Sequence, residues 1–270
     1  MTTSADVSAD VLDRVTDLLW EATRTGSTMP HVHDFIAPDD VASAYEIQRR
    51  IVERKLVAGR VRVGRKVGLT NPKVQAAVGV DEPDYGTILD DMVFASGVVL
   101  DADRFIQPKI ESEVCIALGR ELTSWDFGFI EDSIGWIAPS FELVDGHLPD
   151  YRGTIVDTIA DNAYCAGIVI GEKQEYGAVD LAGVRLSLRR DGVEITDGIG
   201  SNVMGHPVNA VAWLARTALE QDLPLQAGEI LLPGSIGMIM DFHVGPQYTA
   251  EISGLGTVEA RLEARPGVTA

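Results

Sequence analysis

From Gly59 onward the chain is made of short Val-rich runs punctuated by glycine, and this texture limits the fold more than any other feature. The runs are Val61 to Leu69, Gly97 to Leu100, Ile110 to Leu118, Ile134 to Val144, Ala166 to Ile170, Val184 to Arg189, Glu229 to Leu232 and Tyr248 to Leu262. Short runs bounded by turn formers are a strand signature, so a mainly β core is expected. Two amphipathic helices precede it. In Ala9 to Thr25, Val11, Leu12, Val15, Leu18, Leu19 and Ala22 recur at three- and four-residue steps, and Gly26 supplies the stop. Asp39 or Asp40 caps the second helix, whose stripe of Ala42, Ala44, Ile47, Ile51 and Leu56 runs to Gly59. Inside the β region only Pro207 to Leu219 reads as a helix, with proline in its first turn and Val211, Leu214 and Leu219 on its buried side. The expected class is α+β: residues 1–60 form a helical segment packed on a β-rich catalytic core of residues 61–270, the two making one structural unit.

Composition narrows the function. The net charge is −19, with acidic residues spread along the whole chain. Nucleic acid is therefore excluded as a partner, because phosphate binding requires basic patches that this sequence lacks. An anionic substrate needs a local cation, a metal or a lysine, to overcome that field. Cys115 and Cys165 match no zinc, redox or disulfide spacing, which suits a reducing compartment. The start, MTTSADVSADVLDR, carries acids where a signal peptide is apolar, and no apolar stretch is long enough to span a membrane. The expectation is a cytoplasmic protein of 270 residues with no membrane partner.

Chemistry enters at Pro108 to Gly119, PKIESEVCIALG. The alternation of a strand puts Glu111, Glu113, Cys115 and Ala117 on one face, and Ile110, Ser112, Val114 and Ile116 on the other. Two carboxylates about 7 Å apart along a strand are costly to bury without a compensating cation. All-oxygen ligation points to a hard ion, Mg²⁺, Mn²⁺ or Ca²⁺, rather than zinc. The alternative is a solvated edge strand whose acids discourage pairing. Glu142, in the run from Trp136 to Asp145, points opposite to Phe141 and Leu143 and offers a third carboxylate in an apolar frame.

Lys66 lies among small and apolar neighbours, where partial desolvation would make it a proton carrier or an anchor for an anion; the alternative is a strand-end lysine in solvent. Asp84, in Pro83-Asp84-Tyr85-Gly86, reads first as a turn residue. Asp157, Asp161 and Asn162 either cap a turn or line a polar pocket. Pro233-Gly234-Ser235 could present a hydroxyl and backbone N–H groups to an anion. His31, His33, His147, His206 and His243 show no metal spacing, and His206 before Pro207 is a helix-entry residue.

Eight motifs in order then carry a resemblance. GRKVGLTNPKVQ (64–75), DEPDYGTILDDM (81–92), DRFIQPKIESEV (103–114), APSFELVD (138–145), VDTIADNA (156–163), GHPVNAVAWLA (205–215), ILLPGS (230–235) and ISGLGTVEARL (252–262) resemble the 2-keto-4-pentenoate hydratases of aromatic and steroid meta-cleavage pathways. These belong to the fumarylacetoacetate hydrolase superfamily. The resemblance implies that superfamily's mixed β-roll with peripheral helices, and Mg²⁺ or Mn²⁺ held by Glu111, Glu113 and Glu142. It implies Lys66 and Asp84 as catalytic residues and Ser235 in the substrate-binding loop; Asp161, from its polar stretch, and His147, at a departure from the family pattern, are the further residues expected to bind substrate. The implied activity is hydration of a 2-hydroxy-2,4-dienoate to a 4-hydroxy-2-oxo acid. Alternatives are a 2-oxo-3-enedioate decarboxylase of the 4-oxalocrotonate type, or a catalytically silent partner of such an enzyme. The resemblance also implies a homo-oligomer and a possible complex with a pathway decarboxylase or aldolase. Two stretches depart from it. Val144-Asp145-Gly146-His147 stands where relatives read Val-Asp-Ser-Arg, which implies a less anionic substrate tail or a structural pairing repaired elsewhere. Ile236-Gly237-Met238-Ile239-Met240-Asp241 replaces a small, proline-bearing loop.

Overall fold

The computed structural model describes residues 7–264, Ala178 apart. Residues 1–6 of the stretch expected to be too acidic for a signal peptide, and residues 265–270 of the expected core, lie outside the described residues. Two helices come first, α1 (Ala9–Thr25) and α2 (Val41–Val57). Gly26 ends α1 at φ 64°, a left-handed position that glycine adopts without strain, and Asp40 caps α2 by accepting the Ser43 N–H.

The chain continues through β1 (Arg62–Gly68), α3 (Pro72–Val78), β2 (Asp84–Leu89), β3 (Val93–Ala95), β4 (Val98–Asp101), β5 (Lys109–Leu118), α4 (Phe127–Glu131) and β6 (Ile134–Val144). After them come α5 (Ile155–Ala160), β7 (Cys165–Ile170), β8 (Gln174–Glu175), β9 (Arg185–Arg190), β10 (Val193–Ile199) and α6 (Pro207–Glu220). The last elements are β11 (Ile230–Leu232), β12 (Met240–Asp241), β13 (Gln247–Ile252) and β14 (Gly256–Glu263). One mixed sheet runs β2-β1-β11-β5-β6-β7-β3, with β12 also paired to β5 and β8 to β6; a second runs β10-β9-β13-β14-β4. The fold is thus α+β with curled mixed sheets behind a helical N-terminal segment.

Alternation on β5 and β6 decides what each face of the large sheet does. Ile110, Val114, Ile116, Phe141 and Leu143 point into the main core, where they meet Leu186, Leu188, Tyr248 and Val258 of the small sheet and Val211 and Leu214 of α6. The opposite face carries Glu111, Glu113 and Glu142 at one end. At the other it carries the apolar cluster of Cys115, Ala138, Ile168, Ile170 and Leu232. A third cluster joins α1, α2 and α5 through Val15, Leu19, Ile47, Ile51, Val156 and Ile159.

Several local expectations change. Tyr248 to Leu262 is a hairpin, with Gly254 and Gly256 at positive φ in its turn, not one run. β2, β3, β8, β10, β12 and the short helices α3, α4 and α5 are additional to those expected. Asn71 and Pro72 are the cap and first-turn proline of α3, a start signal present in the sequence. Asp84 is a strand residue, not a turn: β2 pairs antiparallel with β1, Lys66 opposite Gly86 and Gly68 opposite Asp84. Gly86 is required there because the Asn162 carbonyl oxygen lies 2.3 Å from where a Cβ would stand.

Candidate active site

The two long strands β5 and β6 pair so that Glu111 sits directly opposite Glu142, with Glu113 two residues along β5. One carboxylate oxygen from each of the three lies within 4.8 Å of the others. Glu113 and Glu142 are fully buried. Glu113 Oε2 accepts the Gly234 N–H at 2.8 Å, whereas Glu113 Oε1 and both oxygens of Glu142 have no hydrogen-bond donor. Buried carboxylate oxygens rarely stay unpartnered, and three converging ones make a donor set suited to a hard divalent cation.

Lys66 and Asp84 complete the cluster from β1 and β2. Lys66 Nζ is 3.1 Å from Glu142 Oε1, an ion-pair distance without hydrogen-bond alignment, and both residues are buried. A Cβ on Gly68 would stand 2.2 Å from Asp84 Oδ1 and 3.3 Å from Lys66 Nζ, so only glycine lets these two groups lie against β1. Gly234, at φ 120°, is constrained likewise: its Cβ would meet Thr70 Oγ1 at 2.0 Å. The sequence marks Gly234 only for its backbone N–H and gives no sign of either steric constraint, since the constraint comes from side chains distant along the chain.

The electrostatics follow from crowding. Burial, then the charges of Glu142 and Glu111, push Glu113 well above the usual carboxylate range. Glu111 is pushed up to about 7 by burial and by Glu142. Glu142 and Asp84 also rise through burial, opposed by the Lys66 charge. Burial disfavours the charged form of Lys66, but Glu142 and Asp84 outweigh it and hold the ammonium protonated. Four acids thus face one base, and the excess negative charge calls for a cation.

A cavity of about 280 Å³ opens above this cluster, reached by Gly68, Thr70, Glu111, Gly234 and Ser235. Ser235 Oγ donates to the Gly237 carbonyl at 3.1 Å, and the residue lines the cavity. His147 and Asp161 are brought to each other instead. Asp161 accepts the His147 backbone N–H at 2.6 Å and pairs with its Nδ1 at 2.9 Å. They line a different cavity, of about 530 Å³, beside α1 and α2. Burial works against a charged His147 ring, but the Asp161 carboxylate outweighs it and raises the pKa. Cys115 and Cys165 are buried thiols pushed upward by that burial, poor candidates for nucleophiles.

Contrary to their sequence spacing, His31 and His33 lie with Asp157 in a second group of potential ligands. The Asp157 carboxylate is already occupied by the N–H groups of Val32, His33 and Thr154, so it ties the segment before α2 to α5.

Comparison with known proteins shows the family to which the chain belongs. The family model for the fumarylacetoacetate (FAA) hydrolase C-terminal domain matches residues 69–263. The "TodF product hydratase" of Pseudomonas putida is 36% identical over 251 residues, covering 92% of this chain and 93% of that protein. The 2-keto-4-pentenoate hydratase 1 of Dechloromonas aromatica is 37% identical, covering 90% and 94%. Among solved structures, 4-oxalocrotonate decarboxylase from Pseudomonas putida G7, complexed with magnesium and adipate, superposes with a TM-score of 0.89 at 29% identity, covering 94% and 97%. Motif order, fold and these identities over nine-tenths of the chain agree: the protein belongs to the 2-keto-4-pentenoate hydratase family of the fumarylacetoacetate hydrolase superfamily.

Proposed function

We propose that this protein is a metal-dependent hydratase that converts a 2-hydroxy-2,4-dienoate to a 4-hydroxy-2-oxo acid. The observation that carries the reading is the cluster itself: three converging glutamates, two of them with unpartnered buried oxygens and one, Glu142, 3.1 Å from the buried Lys66, beside an open cavity. Glu111, Glu113 and Glu142 hold the cation, Mg²⁺ or Mn²⁺. When bound it supplies Lewis acidity toward the carboxylate and 2-oxygen of a dienoate.

The chain's own residues handle protons and water. Ketonisation moves the 2-hydroxyl proton to C5, giving a 2-oxo-3-enoate; water then adds its oxygen to C4 and its proton to C3. Lys66, held as an ammonium, and Asp84, held toward its neutral form, are the two groups positioned to donate and accept at these atoms. Their burial behind Gly68 keeps bulk water from the proton transfers. The Pro233–Ser235 loop, pinned by the Gly234 N–H to Glu113, orients the substrate above them.

The relatives' names support hydration over decarboxylation, hydratases standing at 34–37% identity against 29% for the decarboxylase. The protein works in the cytoplasm as a homo-oligomer; among the described residues no helix is long and apolar enough to cross a membrane. The test is incubation of the protein with freshly made 2-hydroxypenta-2,4-dienoate and its 5-carboxylated analogue, with and without Mg²⁺, products being read by mass. Gain of one water, dependent on the cation, is the expected result. Loss of carbon dioxide from the dicarboxylate without hydration would replace this reading with the decarboxylase.

A further inference from the structure

β1 and β2 have a second face, turned away from the glutamates. Alternation places Lys66 and Asp84 on one side of this strand pair and Arg65 and Tyr85 on the other, and the register sets Thr87 directly opposite Arg65. On that side α2 and the chain just after α6 enclose a cavity of about 300 Å³. Arg65 and Thr87 both line it, although they are only 4% and 7% exposed. Neither side chain is satisfied within the protein. Arg65 Nη2 donates to the Leu223 carbonyl at 2.9 Å, Nε stands 3.7 Å from Glu229, beyond hydrogen-bond reach, and Nη1 has no acceptor among the described residues. Thr87 bonds to Asn162 through its backbone alone, and its hydroxyl has no partner among the described residues. The other polar groups around the cavity are engaged. Arg62 lies 3.3 Å from Glu229, and Arg49 donates to Glu46 and Glu53. The Gln48 amide donates to the Tyr85 and Ile159 carbonyls, and Gln221 accepts the Tyr85 hydroxyl.

We propose that this cavity is a second ligand site, separate from the glutamate cluster, which binds a small monocarboxylate with a compact aromatic or alkyl body. A buried guanidinium with an open edge beside a buried hydroxyl is a donor arrangement that suits one carboxylate: two N–H groups of Arg65 grip it as a fork and the Thr87 hydroxyl adds a third bond. The body then lies against the stacked rings of Tyr45 and Tyr85, whose centroids are 4.6 Å apart, and covers Leu223, which is otherwise 50% exposed. One open cationic edge matches one negative charge. A dianion would leave a charge unmatched in the field of a chain of net charge −19.

Calorimetry with benzoate on chelator-treated protein tests the proposal, because the glutamate cluster without its cation repels a carboxylate. Benzoate should bind this metal-free protein, and benzamide, the same shape without the charge, should bind about tenfold more weakly or worse. Arg65→Gln should weaken benzoate by at least about tenfold, and Thr87→Val by a few-fold. Ala42→Trp changes an exposed position of α2 on the cavity rim, so it keeps the test open if Arg65→Gln fails to fold; its indole should fill the cavity and abolish binding. No binding of benzoate at concentrations on the order of 10 mM overturns the proposal. So does binding that requires Mn²⁺, equal affinity for benzamide, or an affinity unchanged in Ala42→Trp. Dissociation of an oligomer in Ala42→Trp, read by light scattering, also overturns it, since the cavity would then be a seam between subunits.

Discussion

Removing the divalent cation should make the stability of this protein fall as pH rises through the range just below neutrality. Without the cation, burial and the Glu142 charge push Glu111 up to about 7 in the folded protein, from the ordinary 4.5 of an exposed glutamate. Between those values the folded state holds a proton that the unfolded chain has released. Stability therefore falls with rising pH across that window, the reverse of an ordinary salt-bridged acid. From about pH 5.5 to about pH 8 this one group costs about 2 kcal/mol. Glu113 and Glu142 are displaced in the same direction and add to it. A bound cation keeps the carboxylates ionised and removes the penalty, and at a hundredfold excess over its Kd contributes about 2.7 kcal/mol. The assay is urea unfolding at fixed protein concentration, with chelator or with Mn²⁺, at both pH values. Taking the difference between the two series cancels all other titrating groups, and Glu111→Gln should shrink the metal-free slope. A metal-free stability that is flat or rises relative to the loaded protein, or no stabilisation by Mn²⁺, would refute the reasoning.

Four further outcomes are expected. Lys66→Met should lower dienoate turnover by roughly 10²–10⁴-fold while Mn²⁺ affinity is retained; an active variant removes Lys66 from the proton transfers. Glu113→Gln should weaken Mn²⁺ binding in equilibrium dialysis, because a charged donor becomes neutral, and undiminished affinity would exclude it as a ligand. In Asp157, burial favours the neutral acid but bonds from His33 and Thr154 prevail and depress its pKa. It stabilises the fold above its unfolded value, and that contribution is lost as pH falls through the folded one. Asp157→Asn should therefore lower stability at neutral pH by about 2 kcal/mol in urea titration, and an unchanged midpoint would argue against the tie between the N-terminal segment and α5. Light scattering at micromolar concentration should report an oligomer, and a monomer would reject the proposed assembly.

Much of this molecule was legible in local pattern. The helix Ala9–Thr25 and the strand Ile134–Val144 have the limits that periodicity and the stop at Gly26 imply. Alternation alone put Glu111, Glu113 and Glu142 on faces opposite to Val114, Phe141 and Leu143, and the main core confirms that sorting. Such features depend on neighbours one to four residues away, which the sequence contains. What it does not contain is pairing over long separations. Asp84 read as a turn because Pro-Asp-x-Gly is turn chemistry, yet pairing with β1 and the approach of Asn162, 76 residues beyond Gly86, make it a strand end facing Lys66. Gly68 and Gly234 look like ordinary punctuation until the Asp84 carboxylate and the Thr70 hydroxyl occupy the space a Cβ would need. His147 and Asp161 were grouped with the site by motif, whereas the packing of α5 brings them to each other beside a separate cavity. Tertiary structure decided these points because close approach across a sheet is fixed by which strands are neighbours, and strand order is set by the whole chain's burial rather than by any single segment.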